Sequence, residues 1–395
     1  MIARFLLLFI CAATFAFSAT PYKALYLTWI HDPTTTMTIQ WHTDAKESAT
    51  KILYKKSSET ETPWITEEGT SSPLSNTQQI VHTVELTSLL PDTDYTFQIG
   101  EDKTLHRFRT LPSKNEREVT FVVGGDVYLR FPLFKKMNAQ VAKLNPDFVV
   151  IGGDIAYSEK NNVKRWQIFL DQWQKQMITS DGRVIPMLPL LGNHDIQSFK
   201  KRNKKNPVPF YFFELFALPE KNISYRALDC GDYLSLVLLD TGHGAQIEGK
   251  QVEWLAQTLP TKSAFTNRFA IYHIAAYPSV YPYAGSTPEA IRREWVPLFE
   301  KFGIQAAFEH HNHAFKRTHP IKAGKVNNEE GILYLGDGAW GVRPRSPFKP
   351  KNTWYLAKTK QSSCVWHVSL TNNRCLLRAI DNNGSEIDRI TLPTK

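Results

Sequence analysis

Cysteine is scarce, with four residues in a chain of 395. One of them, Cys11, lies in an apolar leader. The other three, Cys230, Cys364 and Cys375, are an odd number, and the last two flank a hairpin pattern without facing each other. No disulfide framework is expected from such a set. Long apolar runs are lacking too. Beyond residue 18 no stretch is apolar enough to cross a bilayer, so no membrane span is expected after leader cleavage. Disorder on a large scale is excluded by a composition that is 42% apolar and 22% charged. What remains is a globular chain long enough for two domains.

The leader itself is legible. Arg4 precedes the apolar run Phe5–Ile10, and Ala16-Phe17-Ser18 offers small residues at the cleavage positions. The expectation is a signal peptide over residues 1–18 and a secreted or periplasmic destination. The formal charge is +9, or +8 without Arg4. That balance suits an anionic substrate or surface without telling a phosphate ester from a lipid or a nucleic acid.

Residues 19–113 show short alternating segments at turn-punctuated spacing: Ala24–Ile30, Thr36–Trp41, Thr50–Tyr54, His82–Leu86, Tyr95–Ile99 and Leu105–Thr110. No helical period separates them, which predicts an antiparallel β-sandwich. Leu89-Leu90-Pro91-Asp92-Thr93-Asp94-Tyr95 resembles the tyrosine corner of fibronectin type III domains, and Trp41 is a candidate core residue. No catalytic grouping is visible here; His31, His42, His82 and His106 are scattered and read as surface or packing residues. Leu111–Glu116 reads as a linker.

From residue 117 to 395 the period changes to strand and helix in alternation. Strands are predicted at Val119–Gly124, Phe148–Gly152, Val184–Leu191, Leu234–Asp240, Arg268–His273, Ala306–Glu309 and Ile332–Leu335. Helices are predicted at Leu133–Leu144, Val163–Met177, Lys250–Leu259 and Pro288–Lys301, the last opened by Thr287. Three further strands follow at Cys364–Leu370, Cys375–Ile380 and Ile387–Leu392. Such alternation builds parallel or mixed sheets covered by helices.

Five strand ends carry side chains of the metal-ligating kind. These are Gly125-Asp126; Gly152-Gly153-Asp154 with Tyr157; Gly192-Asn193-His194-Asp195; His273; and His310-His311-Asn312-His313. A single strand-end carboxylate or histidine means little, since Gly-Asp closes many turns. Five on the side of the sheet where ligands bind are hard to explain by packing. The set mixes oxygen and nitrogen donors without thiolate, which suits two borderline divalent or trivalent ions rather than a structural zinc site or a calcium loop. Two cations sharing a carboxylate act together on a phosphoryl group.

In this order, Gly-Asp, Gly-Asp-x-x-Tyr, Gly-Asn-His-Asp, hydrophobic-x-His and His-x-His resemble the purple acid phosphatase branch of the calcineurin-like metallophosphoesterases, which also carries an N-terminal fibronectin-like sandwich. The resemblance implies a two-domain α+β/αβ protein: an N-terminal antiparallel β-sandwich, then a metallophosphoesterase β-α-β-α-β sandwich with mixed sheets. It implies two metal ions, Fe(III) held by Asp126, Tyr157 and His313, and divalent iron, zinc or manganese held by Asn193, His273 and His311, with Asp154 bridging. Hard phenolate and carboxylate donors agree with a trivalent ion, and imidazole with a neutral amide agrees with a divalent one. His194 is then the candidate to hold the phosphate or protonate the leaving alkoxide.

The chain departs from that branch in places. Tyr128 stands where the family has glycine; it is open to a role as ligand, as competitor of Tyr157 or as rim residue, and the rim is expected. Only His311 and His313 have the required spacing, which places His310 beside the ligands. The loop after His273 lacks the family's histidines and carries tyrosines, of which Tyr277 is taken to be on the substrate side. Lys200–Lys205 borders these motifs and reads first as a solvated loop, ahead of a patch that draws in anions; Gly336–Gly341 reads equally as part of the site wall or as a tight turn, and His243 as a turn residue ahead of a place beside the ligands.

The expected function is hydrolysis of phosphate esters by a binuclear metal centre, with metal-activated hydroxide attacking phosphorus and a small phosphorylated substrate. Specific nucleic-acid binding is not expected. A phosphodiesterase or nucleotide pyrophosphatase with the same core is the rival enzyme, and a non-catalytic surface-binding protein is the rival of another class.

Overall fold

The computed structural model describes residues 22–44, 49–159, 162–196, 210–336 and 338–393. The leader at 1–18, the basic run Lys200–Lys205 and Asp337 lie outside the described residues.

Residues 23–109 form two four-stranded antiparallel sheets. Lys23–Thr28, Met37–Asp44, Gln79–Leu86 and Thr70–Pro73 make one, and Ile65–Glu68, Lys51–Lys56, Asp94–Ile99 and His106–Arg109 make the other. Trp41 and Phe97 are buried in the core. The Leu90 N–H donates to the Tyr95 hydroxyl at 2.9 Å, which is the corner expected from the sequence. Ile65–Glu68 and Thr70–Pro73 escaped the sequence pattern because they are edge strands with almost no buried face, so nothing selects alternating apolar residues there.

The rest of the chain builds two larger mixed sheets. In one, Met187–Pro189, Phe148–Ile151 and Val119–Gly124 run parallel, and Cys364–Thr371, Arg374–Asp381 and Glu386–Leu392 extend them antiparallel. In the other, Leu234–Leu238, Asn267–Ile274, Ala306–His310 and Leu333–Gly336 are parallel neighbours. Arg226–Cys230 closes one edge, and Phe315–Thr318 with Leu356–Lys360 the other, all antiparallel. Phe121 stacks on Phe148 at 4.9 Å and meets Phe269 of the other sheet at 6.4 Å, so the main core lies between the sheets. Outside, Phe134, Trp166, Phe169 and Trp173 from helices Phe131–Lys143 and Val163–Gln176 cover the first sheet. Leu255, Ile291 and Phe299 cover the second. Each fully buried side chain of this size contributes about 1.5–3 kcal/mol.

Four expectations need correction. Val184–Leu191 is a strand only at Met187–Pro189, because Pro186 and Pro189 cannot donate to a ladder. Pro288–Lys301 is two helices, Ser286–Glu294 and Val296–Phe302, broken ahead of Pro297 for the same reason. Gly285, not Thr287, precedes the first of these as its cap. Helix Tyr211–Leu215 and strands Arg226–Cys230, Phe315–Thr318 and Leu356–Lys360 were not foreseen. Cys364 and Cys375 pair with Asp381 and Leu370 across the hairpin, so they do not face each other.

Candidate metal centre

The parallel strands of both sheets deliver their C-terminal turns to one place. Ahead of Asp126, Gly125 leaves the strand Val119–Gly124; ahead of Asp154, Gly152 leaves Phe148–Ile151. The two turns run side by side, with Asp126 N–H donating to Gly153 O at 3.0 Å and Val127 N–H to Asp154 O at 2.8 Å. Only glycine fits at 152, since a Cβ there would meet the His310 ring at 1.8 Å. At 192 a Cβ would lie 2.1 Å from the backbone nitrogen of Asp154. These contacts explain why both motifs carry glycine, and they place His310 as the buried filler between the first two turns.

The third turn is tied to the second by Asp195. Its carboxylate accepts the N–H groups of Ile155 at 2.9 Å, Ala156 at 3.0 Å and Gly192 at 3.1 Å. Burial and the Asp154 charge raise its pKa to about 7 against those donors. Asp154 Oδ1 in turn accepts the His194 N–H at 2.7 Å.

Two groups of side chains result. In the first, the Tyr157 hydroxyl donates to Asp126 Oδ1 at 3.0 Å and lies 3.3 Å from His313 Nε2, which is 2.8 Å from the same carboxylate oxygen. In the second, His273 Nε2 lies 3.1 Å from Asn193 Oδ1 and 3.3 Å from Asp154 Oδ2. Ligand atoms of Asp154, His273 and His311 all lie within 4.8 Å of one another. Asp154, Asp126, Tyr157, His311 and His313 adopt left-handed backbone angles, with φ from 49° at Tyr157 to 68° at His311. Such geometry costs a non-glycine residue roughly 1–3 kcal/mol and persists where surrounding structure enforces it.

The electrostatics are those of a site built for positive charge. Burial pushes the Tyr157 phenol far above its ordinary range, and the Asp126 and Asp154 carboxylates push it further. Burial would raise the Asp126 carboxyl, but His313, His273 and His311 outweigh it and hold the group well below the usual carboxylate range. Burial would lower the His273 imidazole, but Asp154, Asp126 and the Gly152 carbonyl hold it up at about 9. Asp154 Oδ2, whose neighbour is His273 Nε2 at 3.3 Å, and His311 Nδ1 are buried at the meeting point of the two groups. A donor set of two carboxylates, three imidazoles, an amide and a phenol fits two cations.

His194 stands at the open side. Its ring stacks on Tyr157 at 4.7 Å and 20°, and its Nδ1 lies 2.5 Å from Glu159 Oε1. His243 is buried against His273, ring centroids 5.7 Å apart, in a turn whose Gly242, His243, Gly244 and Ala245 amides all donate to Asp240. The Gly338–Gly341 segment does wall the site: Trp340 and Gly341 N–H groups donate to Gly125 O at 3.1 Å and Asp126 O at 3.0 Å.

Two expected neighbours are elsewhere. Tyr277 is buried in the packing behind the site, 4.4 Å from the Tyr334 ring and 5.5 Å from Tyr355, so it is not on the substrate side. Tyr281 takes that place, stacked on His311 at 5.0 Å and 25°. Tyr128 is not a rim residue but is buried edge-on to Phe134, with the Arg165 guanidinium 4.8 Å above its ring. The apolar environment that a tyrosine prefers lies under the turn, not at the metal side.

Glu309, Lys316 and Arg345 had no sequence motif to mark them, and Asn312 lay inside the last motif without a role assigned to it. Glu309 accepts from Tyr272 and Ala276, each at 2.7 Å, and pairs with buried Lys316. Asn312 accepts the Ser279 and Val280 N–H groups, each at 2.9 Å. Arg345 donates to the Tyr281 hydroxyl, and its backbone N–H to His313 O at 2.7 Å. Only contacts between distant segments bring these together, and a single sequence does not show them.

Comparison with known proteins adds independent findings. The profile described as Calcineurin-like phosphoesterase matches residues 102–315, and that described as Purple acid Phosphatase, N-terminal domain matches residues 22–112. An uncharacterized protein of Mycobacterium tuberculosis is 23% identical over 347 residues, covering 77% of this chain and 63% of that protein. Purple acid phosphatase 15 of Arabidopsis thaliana is 24% identical over 308 residues, covering 69% of this chain and 56% of its own length. The chain thus spans less than two thirds of these relatives. A purple acid phosphatase from yellow lupin (Lupinus luteus) seeds superposes with a TM-score of 0.77 at 15% identity, covering 94% of this chain and 74% of that one. At that identity the likeness is one of fold.

Proposed function

Because this chain belongs to the calcineurin-like phosphoesterases, in their purple acid phosphatase branch, we propose that it hydrolyses phosphate monoesters at a binuclear metal centre. Asp126, Tyr157 and His313 would hold trivalent iron, Asn193, His273 and His311 would hold divalent iron, zinc or manganese, and Asp154 would be shared between them. A metal pair held by these residues would supply Lewis acidity toward the phosphoryl oxygens and lower the pKa of water.

The observation that carries this reading is the convergence of Asp154, His273 and His311, whose ligand atoms lie within 4.8 Å of one another, together with the hydrogen-bonded group Asp126, Tyr157 and His313. The surrounding residues fix them in place. Asp195 and His310 lock the first three turns against one another, so the carboxylates hold their positions without reorganising. With Nδ1 directed to Glu159, His194 keeps Nε2 to hold a phosphate oxygen or give a proton to the leaving alkoxide. Stacking on Tyr157 sets the plane of its ring.

The test is an assay of the metal-supplemented protein on nitrophenyl phosphate and bis-nitrophenyl phosphate. Faster turnover of the monoester supports the reading, and faster turnover of the diester replaces it with a phosphodiesterase. Turnover of neither removes the enzyme reading.

A further inference from the structure

One stretch of the chain carries charge of a single sign. From Gly338 to Ile380 there is no aspartate or glutamate, against eight lysines and arginines. Arg345 and Lys358 are engaged, with the Tyr281 hydroxyl and with Asp388. Arg343, Lys349, Lys351 and Lys360 are exposed, and none of the four pairs with a carboxylate among the described residues. Several exposed cations elsewhere are neutralised: Lys23 by Asp44, Lys175 by Asp171, Arg293 by Glu248 and Arg389 by Glu386. An unpaired positive patch attracts an anionic surface.

Apolar rings stand among these charges. Among the described residues the large aromatic side chains that remain exposed are Phe131, Tyr283, Phe348 and Trp354, and the last three lie together. The Trp354 and Tyr283 ring centroids are 6.4 Å apart. Phe348 N–H and the Tyr355 hydroxyl donate to the neighbouring carbonyls of Ser279 and Pro278, each at 2.7 Å, so the two ends of the segment meet at one place. The Thr359 hydroxyl donates to Phe348 O at 3.0 Å, which brings the strand that ends at Lys360 alongside. Pro344, Pro347 and Pro350 bias the residues before them to extended backbone, as at Lys349 with ψ 134°. The patch is therefore preformed, and Trp354, 47% exposed, and Phe348, 40% exposed, are held outward on it.

We propose that this face docks on the surface of an anionic lipid bilayer. Tryptophan and tyrosine rings are favoured at headgroup depth, and each unpaired lysine or arginine near an anionic leaflet strengthens binding by about fivefold. Neither signal alone holds a protein on a membrane, but the two together do. A single-stranded nucleic acid also combines with cations and rings, but it needs platforms on which successive bases stack. Trp354 instead meets Tyr283 and Tyr355 edge-on, at 69° and 89°, so the rings form one cluster rather than a row. The inference holds whether or not the neighbouring centre is a phosphoesterase.

The test uses the protein after removal of residues 1–18, which lie outside the described residues and whose apolar run would itself bind lipid. Cosedimentation is measured with vesicles of phosphatidylcholine alone and of an equal mixture with phosphatidylglycerol. The expected result is binding to the mixture only, falling steeply as salt is raised. Lys349→Gln combined with Lys351→Gln should weaken it by about twentyfold. Trp354→Phe should remove the quenching of tryptophan fluorescence by brominated acyl chains. Unchanged urea midpoints show that these variants, altered only at exposed side chains, remain folded. No binding to the mixed vesicles, equal binding to phosphatidylcholine, or an affinity unmoved by the two lysine substitutions overturns the proposal. So does binding of a single-stranded oligonucleotide without binding of vesicles.

Discussion

The Tyr157 hydroxyl donates to Asp126 Oδ1 at 3.0 Å, and both groups are buried. A phenol held against a carboxylate ionises only when a strong cation replaces its proton, which is the behaviour expected of a ligand to trivalent iron. Tyr157→Phe is therefore predicted to abolish a visible charge-transfer band in the iron-loaded protein, while Tyr128→Phe leaves it intact. An absorption spectrum of the two variants decides this. The reverse pattern would move the phenolate to Tyr128.

Asp154 is the carboxylate between the two groups of donors. Asp154→Asn keeps its shape and the hydrogen bond from His194 N–H but removes the charge. The expected outcome is a turnover loss of about a thousandfold or more and a lower metal content, with an unchanged circular dichroism spectrum. Near-normal turnover would show that Asp154 does not share the metals.

Gly152 and His310 are predicted to be coupled. Gly152→Ala places a methyl group 1.8 Å from the His310 ring, between a strand and a turn that cannot shift. Overpacking of this kind costs about 1–3 kcal/mol, measured as a lower urea midpoint. His310→Ala in the same chain should recover about 1 kcal/mol or more of it. Additive effects would mean that the ring is not what forbids a side chain there.

Much of this was legible in the sequence, and the reasons differ from residue to residue. Asp126, Asp154, Asn193, His273 and the two histidines of His311-Asn312-His313 each follow an apolar run that reads as a buried strand, although the run before Asn193 is a strand only at Met187–Pro189, and strands in such alternation present their C-terminal ends to one side. The same logic misplaced Tyr277, since a loop residue's direction depends on what packs behind it; here Tyr334 and Tyr355 draw it inward. Tyr128 was misjudged for the same reason, with Phe134 and Arg165 as its partners. Arg345 lies 34 residues beyond His311 in the chain, and only the folded loop shows what it does. Edge strands and proline-broken elements were lost because burial imposes no period on them.

Stability is predicted to fall as the medium turns acid. Burial lowers the pKa of both His42 and His367 to about 4, with the nearby Arg378 charge adding to it at His367, from an ordinary value of 6.5. Between pH 6.5 and 4 the unfolded chain takes up protons that the folded chain refuses. Folding stability from these groups is therefore complete above that window and lost on descending through it, by on the order of 3 kcal/mol for each. Urea unfolding at neutral pH and near the lower end of the window measures the loss, and His42→Gln should make the decline shallower. A flat profile would contradict the assignment of these imidazoles as buried and neutral.

The central claim is two catalytic metals on seven side chains, and metal analysis of the purified protein alongside monoester turnover tests it most directly. The account predicts two metals per chain after supplementation with iron and a divalent ion, turnover abolished by a chelator, and recovery when both ions are returned. No bound metal and no turnover under the same supplementation would contradict it.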